Sequence, residues 1–297
     1  MNEPAGNGII NVYIYRTKSM GIGGIIMLSC LPVSLFPDFF TGRTTVGEWA
    51  RFAASIGLDA FDISILFVRD RTPQGLAAFR KDAESGGIPL AMLTTYPDFT
   101  APDPVTYEKE LVRALSDISV AADLGARCVR LTAGQVYPDE DLNRQLDQVC
   151  RAFEVCADHA DKWGIRLLWE NHSKPMAWER EDFNYGEERL DAMLERLRGS
   201  RVRMNYDIAN AWLVGKDLAF LRSCYPEIAS IHINDAAGRE PIVFTGIGDG
   251  KADVRGSLAT LRKMGYTGLY SIEEASGQGW DGIRKYVEVT RGILSGN

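Results

Sequence analysis

Apolar residues along the chain follow two alternating rhythms. Short runs rich in Val, Ile, Leu and Met give way to longer stretches where apolar positions recur every three or four residues. The short runs are IIMLSC, GLDAFDIS, IPLAMLTTY, ARCVRLTAG, IRLLWEN, VRMNYD, ASIHIN and GLYSIEE, and each predicts a buried strand. The longer stretches predict helices over 45–56, 72–85, 104–124, 139–163, 187–197, 217–224, 254–264 and 281–294. In the first of these, Val46, Trp49, Ala50 and Ala53 share one face. Glycine stands where several helices turn into strands, as at Gly125 and Gly265, which suits a left-handed C-terminal cap. The Pro- and Phe-rich segment 31–43 and the Gly-rich segment 238–253 read as loops. About eight strand–helix units over roughly 270 residues have the size and rhythm of a (β/α)8 barrel. The expected fold is therefore α/β, a single (β/α)8 (TIM) barrel domain over 24–297 with a short N-terminal extension at 1–23. A doubly wound open sheet would place a glycine-rich phosphate loop after the first strand, where SCLPVSLFP stands instead.

Several strands end in residues that are poor strand formers and costly to bury. IRLLWENHS ends in Glu170, Asn171 and His172, RVRMNYD in Asp207, SIHIND carries His232, and GLYSIEE carries Glu273 and Glu274. Alternate strand residues face opposite sides. With Leu167, Trp169, Met204, Tyr206, Ile231, Ile233, Tyr270 and Ile272 toward the helices, Glu170, Asp207, His232 and Glu273 all face the barrel axis. They lie near the C-terminal strand ends, where barrel active sites sit. Asn234 shares that face, and Glu274 faces out. The same parity puts Arg130, Arg166, Arg203 and Asp62 inside the barrel or near its floor, where an ion-pair network is expected.

Three carboxylates and one imidazole form a hard donor set. Carboxylates that close together raise one another's pKa unless a cation joins them. The set suits a divalent metal, with Mn²⁺ expected first and Mg²⁺, Co²⁺ or Zn²⁺ as alternatives. Such an ion could polarise a substrate carbonyl and stabilise an enediolate, while Glu170 and Glu273 remove and return a proton on the neighbouring carbon. His172 is a candidate additional acid or base. Trp178 is a candidate wall of the substrate pocket.

Bulk properties narrow the partners. The 297 residues carry a net charge of −7, which disfavours nucleic acid and anionic lipid. No apolar run reaches the ~20 residues needed to span a membrane, and MNEPAGNG lacks the pattern of a secretory signal. The five cysteines are scattered without CxxC spacing, as expected of reduced thiols in a cytoplasmic protein.

Glu170 in LLWENH, Asp207 in NYDIAN, His232 in SIHIND, GIGDG at 246–250 and Glu273 in GYTGLYSIE occur in an order that resembles the xylose isomerase-like TIM barrel superfamily. That superfamily of sugar (phosphate) isomerases and epimerases includes ketose 3-epimerases and inosose dehydratases. The resemblance covers about residues 25–295. It implies that Glu170, Asp207, His232 and Glu273 are metal ligands and that Glu170 and Glu273 also move the proton. Many members carry a substrate-touching His three residues after the strand-six Asp, where this chain has Asn210. An Arg shortly after the strand-seven His is matched only approximately by Arg239. With Asn234 and Trp178 from the strand reading above, the substrate-binding candidates are Asn210, Asn234, Arg239 and Trp178. His172 in ENH resembles a subset of the superfamily. The endonuclease IV branch needs more histidines than the three present here. The expected activity is a divalent-metal-dependent isomerase or epimerase acting on a small-molecule sugar or polyol ketone. A lyase on the same scaffold, an inosose-type dehydratase or β-elimination from a 3-keto sugar or glycoside, is the alternative, and a non-catalytic sugar-binding barrel a third. By resemblance the chain could form a homo-oligomer.

Overall fold

The structure, a computed structural model, describes residues 27–173 and 178–296. The extension expected at 1–23 lies outside the described residues, as do the first positions of the expected strand IIMLSC.

Eight parallel strands form the barrel: β1 (Met27–Leu31), β2 (Phe61–Ser64), β3 (Leu90–Thr94), β4 (Cys128–Leu131), β5 (Arg166–Glu170), β6 (Arg203–Asp207), β7 (Ile228–Ile233) and β10 (Leu269–Glu273). Their order is β1-β10-β7-β6-β5-β4-β3-β2. The remaining gap, between β1 and β2, is bridged by Asp59, just before β2. Its backbone N–H donates to Leu28 O at 2.9 Å, and its Oδ2 accepts from Leu28 N at 2.9 Å. β8 (Asp235–Arg239) and β9 (Ile242–Thr245) form an antiparallel hairpin after β7. The sequence read this segment as a loop.

The helices are α1 (Phe36–Thr41), α2 (Val46–Ser55), α3 (Pro73–Glu84), α4 (Pro104–Asp123), α5 (Leu142–Asp161), α6 (Glu187–Arg196), α7 (Ile208–Leu213), α8 (Leu218–Cys224), α9 (Val254–Lys263) and α10 (Gly279–Ser295). Their ends follow local chemistry. Thr45 and Glu48 close a capping box on α2. Asp103, Asp141, Asp217 and Asp253 cap α4, α5, α8 and α9. Gly125 and Gly265 both take φ +77° just past a helix, a conformation L side chains resist. No helix among the described residues is long and apolar enough to cross a membrane. All five cysteines are free thiols.

The main core lies between the sheet and the helices. Trp49 is fully buried there, and its indole N–H donates to Asp62 O at 3.1 Å, tying α2 to β2. Burying such a side chain contributes roughly 1.5–3 kcal/mol. A second, smaller cluster of Met92, Cys128 and Leu168 fills the lower barrel interior. Above it runs a polar layer. Asp62 accepts from Ser29 Oγ at 2.7 Å, Ser271 Oγ at 2.5 Å and Met92 N at 2.9 Å. Ser230 Oγ donates to Asn205 Oδ1 at 2.5 Å. Burial raises the Asp62 carboxyl above its usual pKa, against the pull of the two serine hydroxyls.

Two of the arginines expected inside lie at the solvent edge. Arg166 is exposed, and Arg203 is half-buried beside Glu227 at 3.2 Å. Both open their strands, so inward parity brings them only to the rim of the floor, where a guanidinium keeps its water. His159 is half-buried and hydrogen-bonded to Ser119 across α4 and α5 at 2.8 Å.

Candidate metal centre and active site

The strand register brings the four expected donors together near the C-terminal strand ends. Asp207 is level with His232 across β6 and β7, and Ser271 with His232 across β7 and β10, so Glu273 stands two residues further toward the C-terminal mouth. The donor atoms of Glu170, Asp207, His232 and Glu273 all lie within 4.8 Å of one another. None of these residues is more than 3% exposed. His232 points Nδ1 into the cluster, 3.3 Å from Glu170 Oε1, 3.7 Å from Glu273 Oε2 and 3.9 Å from Asp207 Oδ2.

Amide side chains lock this geometry. Asn171 acts as a splice between β5 and β6, accepting from Asp207 N at 2.8 Å and donating to Asp207 O at 2.9 Å. Asp207 also starts α7, where its Oδ1 accepts from Asn210 N at 2.6 Å. Asn234 accepts from Ala209 N at 2.9 Å, and its Nδ2 donates to Asp207 Oδ2 at 2.7 Å and Glu273 Oε2 at 3.1 Å. Asn210 Nδ2 donates to Glu170 Oε1 at 3.3 Å. Both asparagines expected near substrate therefore also brace the carboxylates.

Arg130, expected inside the barrel or near its floor in an ion pair, pairs with the cluster itself. It is fully buried, and its Nε lies 2.7 Å from Glu170 Oε2, with its guanidinium over the Tyr96 ring at 4.7 Å. Glu170 thus divides its oxygens, Oε2 to Arg130 and Oε1 to the cluster. Burial alone would raise the Glu170 carboxyl, but Arg130, with His232 and His172, outweighs it and holds the group well below the usual carboxylate range.

The donor set fits a divalent cation. Three buried carboxylates face one neutralising arginine and an imidazole whose Nδ1 is turned toward them. That leaves excess negative charge in a low-dielectric space, which a hard divalent ion offsets. A cluster of this kind could bind such an ion.

The other expected residues spread around this centre. His172 is buried, and its Nδ1 lies 2.5 Å from Asp182 Oδ2. Trp178 donates its indole N–H to the same Oδ2 at 2.8 Å. Arg239 is exposed on the hairpin, stacked on Trp212 at 4.4 Å, and is not part of the carboxylate cluster. Asp182 was missed because it sits in an aperiodic segment with no motif of its own. Its only signal is a carboxylate ten residues beyond a histidine.

A family model described as xylose isomerase-like TIM barrel matches residues 50–291. No curated protein sequence matches the chain significantly. Among solved structures, the 3-keto-D-glucoside 4-epimerase YcjR from E. coli superposes with a TM-score of 0.69 at 15% identity, covering 90% of this chain and 99% of that one. The probable 3-DHS dehydratase AsbF from Bacillus anthracis gives 0.69 at 13%, covering 90% and 99%. D-psicose 3-epimerase from Clostridium cellulolyticum gives 0.65 at 11%, covering 84% and 94%. At these identities the likeness is one of fold. The family match spans most of the chain and the strand-end residues fall in the expected order, so this protein belongs to the xylose isomerase-like TIM barrel family.

Proposed function

We propose that the protein is a divalent-metal-dependent isomerase or epimerase of a sugar or polyol ketone. The observation that carries this reading is the convergence of two buried glutamates, Glu170 and Glu273, with Asp207 and His232 at the C-terminal mouth of the barrel. Glu170, Asp207, His232 and Glu273 would hold the ion, which we take to be Mn²⁺. When bound, it supplies Lewis-acid polarisation of a substrate carbonyl. Glu273, at the end of β10, takes the proton from the carbon beside that carbonyl. Glu170, across the cluster, returns a proton to the same or the adjacent carbon. Asn234 and Asn210 hold these carboxylates in place through the hydrogen bonds described above, which pre-orients them for the transfer. Arg239 on Trp212, together with Trp178, offers a cation and aromatic faces to the hydroxyl-bearing part of the substrate.

One observation favours a second reading, a lyase that eliminates water or an aglycone. Glu170 is ion-paired with Arg130, which weakens it as a proton acceptor, whereas His172, hydrogen-bonded to Asp182, offers a second group for acid–base work at a leaving group. Of the functions related to these neighbours, epimerases and a dehydratase both occur on this fold.

Proton exchange in deuterium oxide separates the two. The protein, loaded with Mn²⁺ and exchanged into Mg²⁺, is mixed with ketoses, inososes and 3-keto-glycosides and followed by NMR, with Glu273→Gln as control. Deuterium entering a carbon beside the carbonyl, with the skeleton intact, supports the isomerase or epimerase. Loss of water or of an aglycone moves the assignment to the lyase. Silence across the panel with metal bound refutes both.

A further inference from the structure

Residues 181–183, between β5 and α6, are strapped to the loop after β4. Val136 N–H donates to Glu181 O at 2.8 Å, and Phe183 N–H to Gly134 O at 2.9 Å, around an antiparallel bridge between Gln135 and Asp182. Gly134 also lets the loop after β4 pack closely on the loop after β3. A Cβ there would meet Asp98 Oδ1 at 2.3 Å and Thr100 Oγ1 at 2.4 Å. Asn184 ties the strap to the metal-ligand strand, its Nδ2 donating to Glu170 O at 2.9 Å.

The strap places one carboxylate under His172. Asp182 is 1% exposed, as is His172. Its Oδ1 accepts from Asn184 N at 3.0 Å, and its Oδ2 accepts from Trp178 Nε1 at 2.8 Å while lying 2.5 Å from His172 Nδ1. Indole and amide N–H groups only donate, so the carboxylate is held as an acceptor on both oxygens. A neutral imidazole bonded to such an acceptor carries its proton on Nδ1 and its lone pair on Nε2. His172 Nε2 makes no hydrogen bond among the described residues. Tyr96 packs edge-on against the ring at 6.2 Å, which limits its rotation.

We propose that Asp182 is the positioning residue of the active site: it fixes the orientation and the Nδ1–H tautomer of His172, and so presents Nε2 to the substrate. Asp182 itself touches no reacting atom. The inference rests on the reading of the barrel mouth as the catalytic face. It does not depend on which substrate is used.

The test is ¹⁵N NMR of histidine-labelled protein with Mg²⁺ present. The three histidines are assigned with His159→Asn and His172→Gln. In its neutral ring, His172 is expected to show Nδ1 protonated and Nε2 bare. Asp182→Asn, which keeps the side-chain volume, is expected to move the proton to Nε2. Asp182→Glu is expected to restore the wild-type tautomer in part. Mn²⁺ binding by calorimetry should stay within about threefold of wild type in both variants, because Asp182 holds none of the metal donors. Once a substrate is in hand, Asp182→Asn is expected to lower kcat at least about 100-fold while changing KM little, as for a residue that sets a tautomer. A wild-type Nε2–H tautomer, or an Asp182→Asn protein that keeps Nδ1–H, overturns the proposal whether or not the enzymatic reading survives. Silence in the deuterium panel beside the expected tautomer would sink the reading of the reaction alone.

Discussion

Removing the Arg130 guanidinium should expose how much the carboxylate cluster depends on it. Arg130→Met keeps most of the aliphatic volume and deletes the charge 2.7 Å from Glu170 Oε2, in a place where both groups are at most 1% exposed. Breaking a buried pair from one side typically costs about 3–5 kcal/mol, because the other charge stays buried without its partner. In metal-free protein at neutral pH that is the expected loss, a fall in Tm of roughly 6–10 °C for a domain of this size. Glu170 can soften the loss by taking up a proton, and this sets the pH dependence. In the wild type its folded pKa is lowered, so its stabilising contribution is present above the unfolded value of about 4.5 and is lost as pH falls through the folded value. In Arg130→Met the folded pKa rises, and the variant is penalised as pH rises instead. The two stability curves should therefore converge on acidification toward pH 4–5 and separate toward neutrality. A divalent ion should close much of the neutral-pH gap, since it supplies the missing positive charge. The assay is urea denaturation with chelator and with Mn²⁺, across pH. A metal-free variant as stable as wild type at neutral pH would refute the electrostatic reasoning.

Three other expectations follow from the geometry. Asp62→Asn should hold its stability as pH rises. The wild type, whose Asp62 is raised by burial, should lose stability from near the ordinary value of 3.8 up through the raised folded value, and parallel denaturation curves would contradict this. Asp235→Ala should cost about 2–4 kcal/mol and speed proteolysis at residues 246–252, because the Asp235 carboxylate accepts from Gly248, Gly250 and Ala252 N–H at 3.0–3.1 Å. Asn234→Ala should weaken Mn²⁺ binding about 10–100-fold by calorimetry, since its amide braces both Asp207 and Glu273. Unchanged affinity would mean those carboxylates need no brace.

The parts of this molecule that are legible in the sequence are those governed by short-range periodicity. A period of two sorts each strand into helix-facing and axis-facing residues, and Glu170, Asp207, His232 and Glu273 stand where that sorting puts them. Helix ends are legible where a glycine follows them, as at Gly125 and Gly265. Parity says which side a residue faces but not how far up the barrel its side chain reaches. Parity therefore places Arg130 inside the barrel or near its floor without showing that its side chain reaches Glu170. Arg166 has the same parity, yet it opens its strand and stays in water. The β8–β9 hairpin was hidden by Gly238, Pro241 and Gly246, which outweigh the short apolar run IVF in any local pattern. Asn234 faces the axis as expected, but only the fold shows its amide occupied by two carboxylates and a backbone N–H. Asp182 is set beside His172 by pairing with Gln135, a residue distant in the chain.

The central claim is that four buried strand-end donors form one divalent-metal site. Calorimetric titration of chelator-treated protein with Mn²⁺, alongside Asp207→Asn and Glu273→Gln, tests it most directly. The account predicts a single saturable ion per chain in the wild type and at least about a 100-fold loss of affinity in each variant. Wild-type protein that takes up no ion, or variants that bind as tightly as wild type, would contradict it.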